Sequence, residues 1–287
     1  MNVIRAESLG MCFGVRDALR AAGRVQNPSA VTIHGQLVHN ERVIERLTKE
    51  GFMISDEGSR GGIPETALVL ITAHGISDRE RARLAAADKQ LIDTTCPLVK
   101  RVHLAARKLH DEGYFVLVIG RTRHVEVLGI VEDLENFEVV ESVDSVREYA
   151  STRLGIVCQT TTSPPLAGEI RDQISFKNRQ AEIRYVDTVC QPTKDNQQAL
   201  EELIRKVDAV VVVGGRNSNN TRELVALCRS KGTPACHVQS PDDLDPDWIG
   251  EFDTIGLTAG TSTLDPTIDA VHERMLQFSK REVYNER

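Results

Sequence analysis

The 287-residue sequence is poor in cysteine, with six in all, and none of the six belongs to a Cys-x-x-Cys pair. That excludes a zinc ribbon, a thioredoxin-type dithiol and a clustered ferredoxin motif as local features. Six cysteines are also too sparse for a disulfide scaffold. Basic residues are in deficit: 35 Lys and Arg against 42 Asp and Glu give a net charge of −7. The basic stripe that displaces counterions is missing, so no nucleic-acid partner is expected. No run approaches the roughly 18 consecutive apolar residues of a membrane span. The first residues, Met1-Asn2-Val3-Ile4-Arg5, lack the basic flank and apolar stretch of a secretory signal. A cytoplasmic protein without a membrane partner is expected. The remaining composition, 40% hydrophobic and 27% charged, is ordinary globular usage and argues against disorder, collagen and a bare coiled coil.

An internal repeat supplies the organisation. Asp93-Thr94-Thr95-Cys96 and Asp187-Thr188-Val189-Cys190 share a pattern, and Cys12 precedes Cys96 by nearly the same interval that separates Cys96 from Cys190. Each of these cysteines precedes apolar positions at helical spacing, such as Val15, Ala18, Leu19 and Ala22 after Cys12. An apolar run ending in glycine follows each cysteine at an almost constant offset, at Gly35, Gly120 and Gly214. Each run leads into a polar loop. A second apolar run then ends in another small polar loop, at 72–75, 159–161 and 258–263. Strands that alternate with helices predict parallel sheets. Runs such as 116–119 and 210–213 suit strands buried on both faces.

The expected fold is therefore α/β: three similar parallel-sheet domains at 13–95, 96–188 and 189–287 plus 1–12, in a pseudo-threefold, trefoil-like arrangement. Ligands bind at the carboxyl ends of strands in such sheets. Threefold assembly would turn all the polar loops, and three cysteines, toward one central space.

The chemistry-bearing residues lie at those loops. Cys12, Cys96 and Cys190 each precede a helical pattern, and a helix N-terminus favours thiolate. Three equivalent thiolates with no fourth suit a 4Fe-4S cluster with one open iron. A single cysteine is usually a buried structural residue, and the shared repeat position is what argues otherwise here. Cys158, Cys228 and Cys236 lack that position and are read as structural. His39, His74 and His124, with backbone N–H groups and loop hydroxyls, would form a phosphate or diphosphate cradle. His103, His110, His237 and His272 are assigned to helices or surface turns, and His34 is ambiguous. In an extended segment Glu126 would face the same side as His124. Desolvation and negative neighbours would favour its neutral, proton-bearing form. Residues 217–221 read as a polar helix cap suited to a phosphate, although capping alone explains their composition.

Taken together, Gly10-Met11-Cys12-Phe13-Gly14-Val15, Val38-His39-Asn40, Ala73-His74-Gly75, Asp93-Thr94-Thr95-Cys96, His124-Val125-Glu126, Gln159-Thr160-Thr161, Asp187-Thr188-Val189-Cys190, 217–221 and 258–263 resemble the 4-hydroxy-3-methylbut-2-enyl diphosphate reductase family. This ordered set spans about residues 10–263. The resemblance implies three α/β domains around a central 4Fe-4S cluster held by Cys12, Cys96 and Cys190. It implies that His39, His74, His124, Ser218, Asn219, Asn220 and Ser262 surround the substrate, that Thr160 contacts it and orients Glu126, and that Glu126 donates a proton. The implied reaction is reductive dehydration of the allylic diphosphate to isopentenyl and dimethylallyl diphosphates, with electrons from a ferredoxin or flavodoxin.

The sequence departs from the family pattern at Met11, Phe13, Arg121, Val125, Asn196 and Asn219, and keeps the three cysteines and Glu126. A paralogue acting on another allylic diphosphate, and a non-catalytic metal-binding protein of the same fold, are the alternatives.

Overall fold

The computed structural model describes residues 1–57 and 62–285, with side chains described as far as 278. In chain order the elements are β1 (Asn2–Arg5), α1 (Phe13–Ala22), β2 (Val31–His34), α2 (Glu41–Lys49), β3 (Met53–Ile54), β4 (Leu68–Ile71), α3 (Asp78–Ala86) and β5 (Gln90–Asp93). They continue as α4 (Pro97–Asp111), β6 (Phe115–Ile119), α5 (Val125–Val131), β7 (Phe137–Val140), β8 (Arg153–Cys158), α6 (Pro164–Lys177) and β9 (Glu182–Tyr185). The last are α7 (Gln191–Ile204), β10 (Ala209–Val213), α8 (Asn219–Ser230), β11 (Ala235–Val238), α9 (Pro246–Gly250), β12 (Thr254–Ala259) and α10 (Asp265–Asn285).

Among the described residues the strands form three four-stranded sheets, ordered β3-β2-β4-β5, β7-β6-β8-β9 and β11-β10-β12-β1. Every pairing is parallel. The three orders are one pattern used three times, and the N-terminal strand β1 supplies the last place in the third sheet. Within each sheet the strand order reverses between the first and third strands of the repeat. The crevice at that switch point is where doubly wound sheets bind ligands.

By its internal contacts the chain divides into two compact units. One comprises Met1–Cys12, His39–Glu41 and Gln191–Arg287; the other comprises Phe13–Val38 and Arg42–Cys190. In the first unit β10 is buried along its whole length, and its valines alternate between two cores. Val211 and Val213 pack with Ile268, Val271 and Met275 of α10. Val210 and Val212 pack with Leu200 and Leu203 of α7 and Leu224 of α8. Burial of each such side chain contributes about 1.5–3 kcal/mol, and a strand covered on both faces has no reason to alternate polar and apolar residues.

The second unit holds two sheets. Val116 and Val118 of β6 pack with Val102, Ala106 and Leu109 of α4, whereas Leu117 and Ile119 pack with Ile170 and Ile174 of α6.

Candidate functional site

The three cysteines of the repeat occupy one backbone position. In each repeat the fourth strand runs into a turn that begins the next long helix, and the cysteine N–H donates to the carbonyl two residues past the third strand. The bonds are Cys96 N to Ala73 O at 3.1 Å, Cys190 N to Thr160 O at 2.9 Å and Cys12 N to Thr261 O at 3.0 Å. The turns are built differently. Asp93 and Asp187 accept the N–H two residues on, at 2.9 Å and 3.2 Å. The turn before Cys12 has no aspartate and uses Gly10 at φ +82°, a conformation glycine adopts at little cost.

Cys96 precedes Pro97 at the N-terminus of α4. A Cβ added at Gly14 would stand 2.5 Å from Cys96 Sγ. The bare glycine therefore leaves the space at this sulfur that a bulky ligand needs.

The other three cysteines are of another kind. Cys158 is fully buried at the end of β8, and its backbone N–H and C=O both bond the Thr188 hydroxyl, at 2.7 and 2.6 Å. Cys228 is fully buried in the α7–α8 core. Burial pushes the Cys228 and Cys236 thiols up to about 12, so both stay protonated. Among the described residues no disulfide forms, and no group of three His, Cys, Asp or Glu side chains is gathered as a single-ion site.

In the second unit the loops after β4 and β6 carry His74 and His124, and the loop after β8 carries Thr160. The carboxyl of Glu126 is 1% exposed. Its Oε1 accepts the Thr160 N–H at 2.6 Å and its Oε2 accepts the Thr160 hydroxyl at 2.8 Å. Thr160 thus holds Glu126 with its N–H and side chain and Cys190 with its carbonyl. His124 keeps extended backbone angles, but Val125 and Glu126 open helix α5 rather than continuing an extended segment. His124 is the N-cap of α5, and its Nδ1 accepts the Glu126 N–H at 3.1 Å. The first turn of a helix leaves that N–H without an intrahelical partner, which is why an acceptor at the cap wins over extension. With Nδ1 accepting, the neutral ring carries its hydrogen on Nε2. The His74 ring meets the His124 ring edge-on, with centroids 5.7 Å apart.

In the first unit the loops after β10 and β12 carry hydroxyl and amide donors, and residues 39–41 lie with them. Ser218 caps α8 by accepting the Thr221 N–H at 3.3 Å. Asn220 is fully buried. Its Oδ1 accepts the Thr261 N–H at 3.0 Å, and its Nδ2 donates to Thr193 Oγ1 at 3.4 Å. The Ser262 hydroxyl donates to His39 O at 3.1 Å, and Asn40 Nδ2 donates to Ser262 O at 2.8 Å. Asn219, Ser262 and His39 are all buried. Gly214 and Gly260 lie so close to Thr221 that a side chain at either would collide with its hydroxyl.

Other histidines serve the fold. His34 is fully buried, and its Nε2 bonds Glu80 Oε1 at 2.8 Å. The same carboxylate takes two bonds from Arg83, at 2.6 and 2.7 Å. His237 lies on β11 rather than on a helix or surface turn, and its Nε2 contacts Gly214 O at 2.9 Å.

Sequence reasoning placed Gln159 in its loop without a role of its own and missed Thr193. The Gln159 side chain accepts the Arg121 N–H at 3.1 Å and donates to Thr161 Oγ1 at 3.1 Å. Thr193, near the start of α7, supports Asn220. Only their nearness to the repeat cysteine and strand ends could have marked them.

Comparison with known proteins follows the same lines. The family profile described as LytB protein matches residues 3–276. A curated relative from Clostridioides difficile, named 4-hydroxy-3-methylbut-2-enyl diphosphate reductase, is 34% identical, covering 94% of this chain and 98% of its own. The solved E-1-hydroxy-2-methyl-but-2-enyl-4-diphosphate reductase of Plasmodium falciparum matches with a TM-score of 0.87 at 27% identity, over 95% of this chain and 87% of that one. A second solved structure, of (E)-4-hydroxy-3-methyl-but-2-enyl diphosphate reductase, matches with a TM-score of 0.65 at 31% identity, over 96% and 100% of the two chains.

Proposed function

The chain belongs to the LytB protein family, and on that premise we propose that it reduces 4-hydroxy-3-methylbut-2-enyl diphosphate to isopentenyl and dimethylallyl diphosphates. The net change is loss of the allylic hydroxyl as water, with uptake of two electrons and two protons.

The observation that carries this reading is the Glu126 carboxyl, 1% exposed and held by both donors of Thr160. A binding module has no use for a buried, oriented carboxyl in the first turn of α5, whereas a dehydration needs a proton at the departing oxygen. Thr160 fixes the direction of that carboxyl. The diphosphate is received by donors: the Nε2 side of His124, His74 and His39, the hydroxyls of Ser218 and Ser262, and the amides of Asn219 and Asn220. The N-terminus of α8 adds backbone N–H groups that favour an anion.

The donor set and the bare backbone at Gly14 beside Cys96 Sγ fit a bulky thiolate-bound group. Cys12, Cys96 and Cys190, one at each equivalent turn of the repeat, would hold a 4Fe-4S cluster. When bound, such a cluster with one iron not ligated by protein supplies electrons and a Lewis-acidic site for the substrate oxygen. The electrons would come from a small one-electron carrier of ferredoxin or flavodoxin type. No described helix is long and apolar enough to cross a membrane, in keeping with a cytoplasmic location.

The test is anaerobic reconstitution with iron and sulfide, then assay with this diphosphate and a chemical reductant. Formation of both products is expected. A protein that carries iron and sulfide but leaves the substrate unchanged would turn the assignment toward another allylic diphosphate.

A further inference from the structure

The helix that carries Glu126 is fastened at its far end to the element that follows the His74 loop. Past α5 come Glu132 and Asp133. The Asp133 carboxylate accepts the Asp78 N–H at 2.8 Å and the Arg79 N–H at 3.1 Å. The Ser77 hydroxyl donates to Glu132 Oε2 at 2.6 Å while accepting the Glu80 N–H at 2.9 Å. The first N–H groups of α3 are thus met partly by their own cap and partly by a carboxylate from a distant part of the sequence. Such N–H groups have no intrahelical acceptor, and charge-assisted bonds to them are about twice as strong as neutral ones.

His103 of α4 fills the gap beside this junction. A Cβ added at Gly129 of α5 would stand 3.4 Å from His103 Cε1 and 3.7 Å from the carbonyl carbon of Ile76. Burial lowers the pKa of His103, so the ring packs as a neutral wedge. All of these residues lie in the second unit. At one end of α5, His124 and Glu126 meet His74 and Thr160; at the other, Glu132 and Asp133 grip the residues just past His74.

We propose that Glu132 and Asp133 are positioning residues that lock the Glu126 helix to the His74 loop, so that proton donor and histidine move as one body. The proposal rests on the role given to Glu126 above. Neither carboxylate touches substrate; each acts through a helix end. The effect belongs in kcat and its pH profile, because a small misplacement of a proton donor slows the chemical step without loosening the substrate.

The experiment compares Asp133→Ala, Asp133→Asn and wild type as reconstituted, anaerobic proteins. For Asp133→Ala, kcat should fall about tenfold with KM within about twofold, and the pH of half-maximal kcat should move by about half a unit. Asp133→Asn keeps an acceptor oxygen and should recover most of the loss. Amide hydrogen exchange, read separately from activity, should quicken in Asp133→Ala at 78–79 and also at 124–131 and 160. Faster exchange at 78–79 alone, or a wild-type kcat and pH profile in Asp133→Ala, would overturn the lock. Equal losses in both variants would also overturn it. Failure of the wild type to turn over the diphosphate would count against the proposed reaction and leave the exchange result to judge the lock.

Discussion

The strand-end loops of the two units differ in what they can do with a proton. In the unit containing residues 191–287, the loops after β10 and β12 offer Ser218, Asn219, Asn220 and Ser262, none of which titrates near neutral pH. In the unit containing residues 42–190, the loop after β4 offers His74, the loop after β6 and the first turn of α5 offer His124 and Glu126, and the loop after β8 holds Glu126 through Thr160. The same backbone plan, three strand ends and a cysteine anchored two residues past the third strand, is filled with neutral donors in one place and acid–base groups in the other. A repeated fold fixes where side chains emerge; it leaves their chemistry to be chosen separately in each copy. On the proposed function, the hydroxyl and amide donors of these loops help hold the charged diphosphate together with the histidines, and the proton comes from Glu126, which only the second unit supplies.

The largest effect should come from the feature both units share. Cys12→Ser in the first unit and Cys190→Ser in the second should each lose iron, sulfide and turnover, whereas Cys158→Ser should load and turn over like wild type. Metal analysis and the visible spectrum after anaerobic reconstitution decide this. A Cys12→Ser protein with full iron content would break the equivalence of the two units.

The next two substitutions separate the loops. Glu126→Gln keeps shape and loses the proton, so kcat should drop by about 10²–10⁴ with KM changed little. Ser262→Ala removes one neutral donor. It should raise KM by about tenfold, which corresponds to the loss of about 1.4 kcal/mol from one hydrogen bond to a charged group, with kcat near wild type and its pH profile unmoved. Steady-state kinetics across pH measures both. If Ser262→Ala shifts the pH profile, or Glu126→Gln acts on KM alone, the division of labour between the loops is wrong.

Much of this site was legible in the sequence because the repeat is written in cysteines and glycines. Those mark turns whose backbone geometry is the same in every copy, so the almost constant offset from each cysteine to its glycine carried through to equivalent hydrogen bonds. The run 210–213 was readable as a strand covered on both faces because its side chains serve two cores. The start of α5 was not legible: its first turn rests on bonds to His124, from the Glu126 N–H to Nδ1 and from the Leu128 N–H to the carbonyl, and so short a helix gives too little of a period to read. The bonds from Asp133 to α3 span 54 and 55 positions and have no local signature beyond Ser77 as a cap. They also hold together elements from two successive repeats, which is part of why those repeats form one compact unit.

The smallest effect concerns the cysteine turns themselves, two built on an aspartate and one on a glycine. At Asp93, burial pushes the carboxyl up. The Thr95 hydroxyl at 2.5 Å, the Lys100 ammonium at 2.9 Å, the Thr95 N–H at 2.9 Å and nearby Arg81 outweigh that and hold it at about 2. An unfolded aspartate titrates near 3.9. Because the folded value is the lower one, the charged form stabilises the fold above about pH 4, and that contribution is lost as pH falls from about 4 to about 2. At this half-buried position solvent screening leaves it at about 1 kcal/mol. The turn before Cys12 has Gly10 and no carboxylate in that role, so it adds nothing to this slope. Thermal melts of wild type and Asp93→Asn should therefore converge as pH drops through this window, with wild type the more stable above it. Curves that stay parallel from pH 5 to pH 2 would show that the aspartate turn is held by its backbone geometry, as the glycine turn is, and that its charge is incidental.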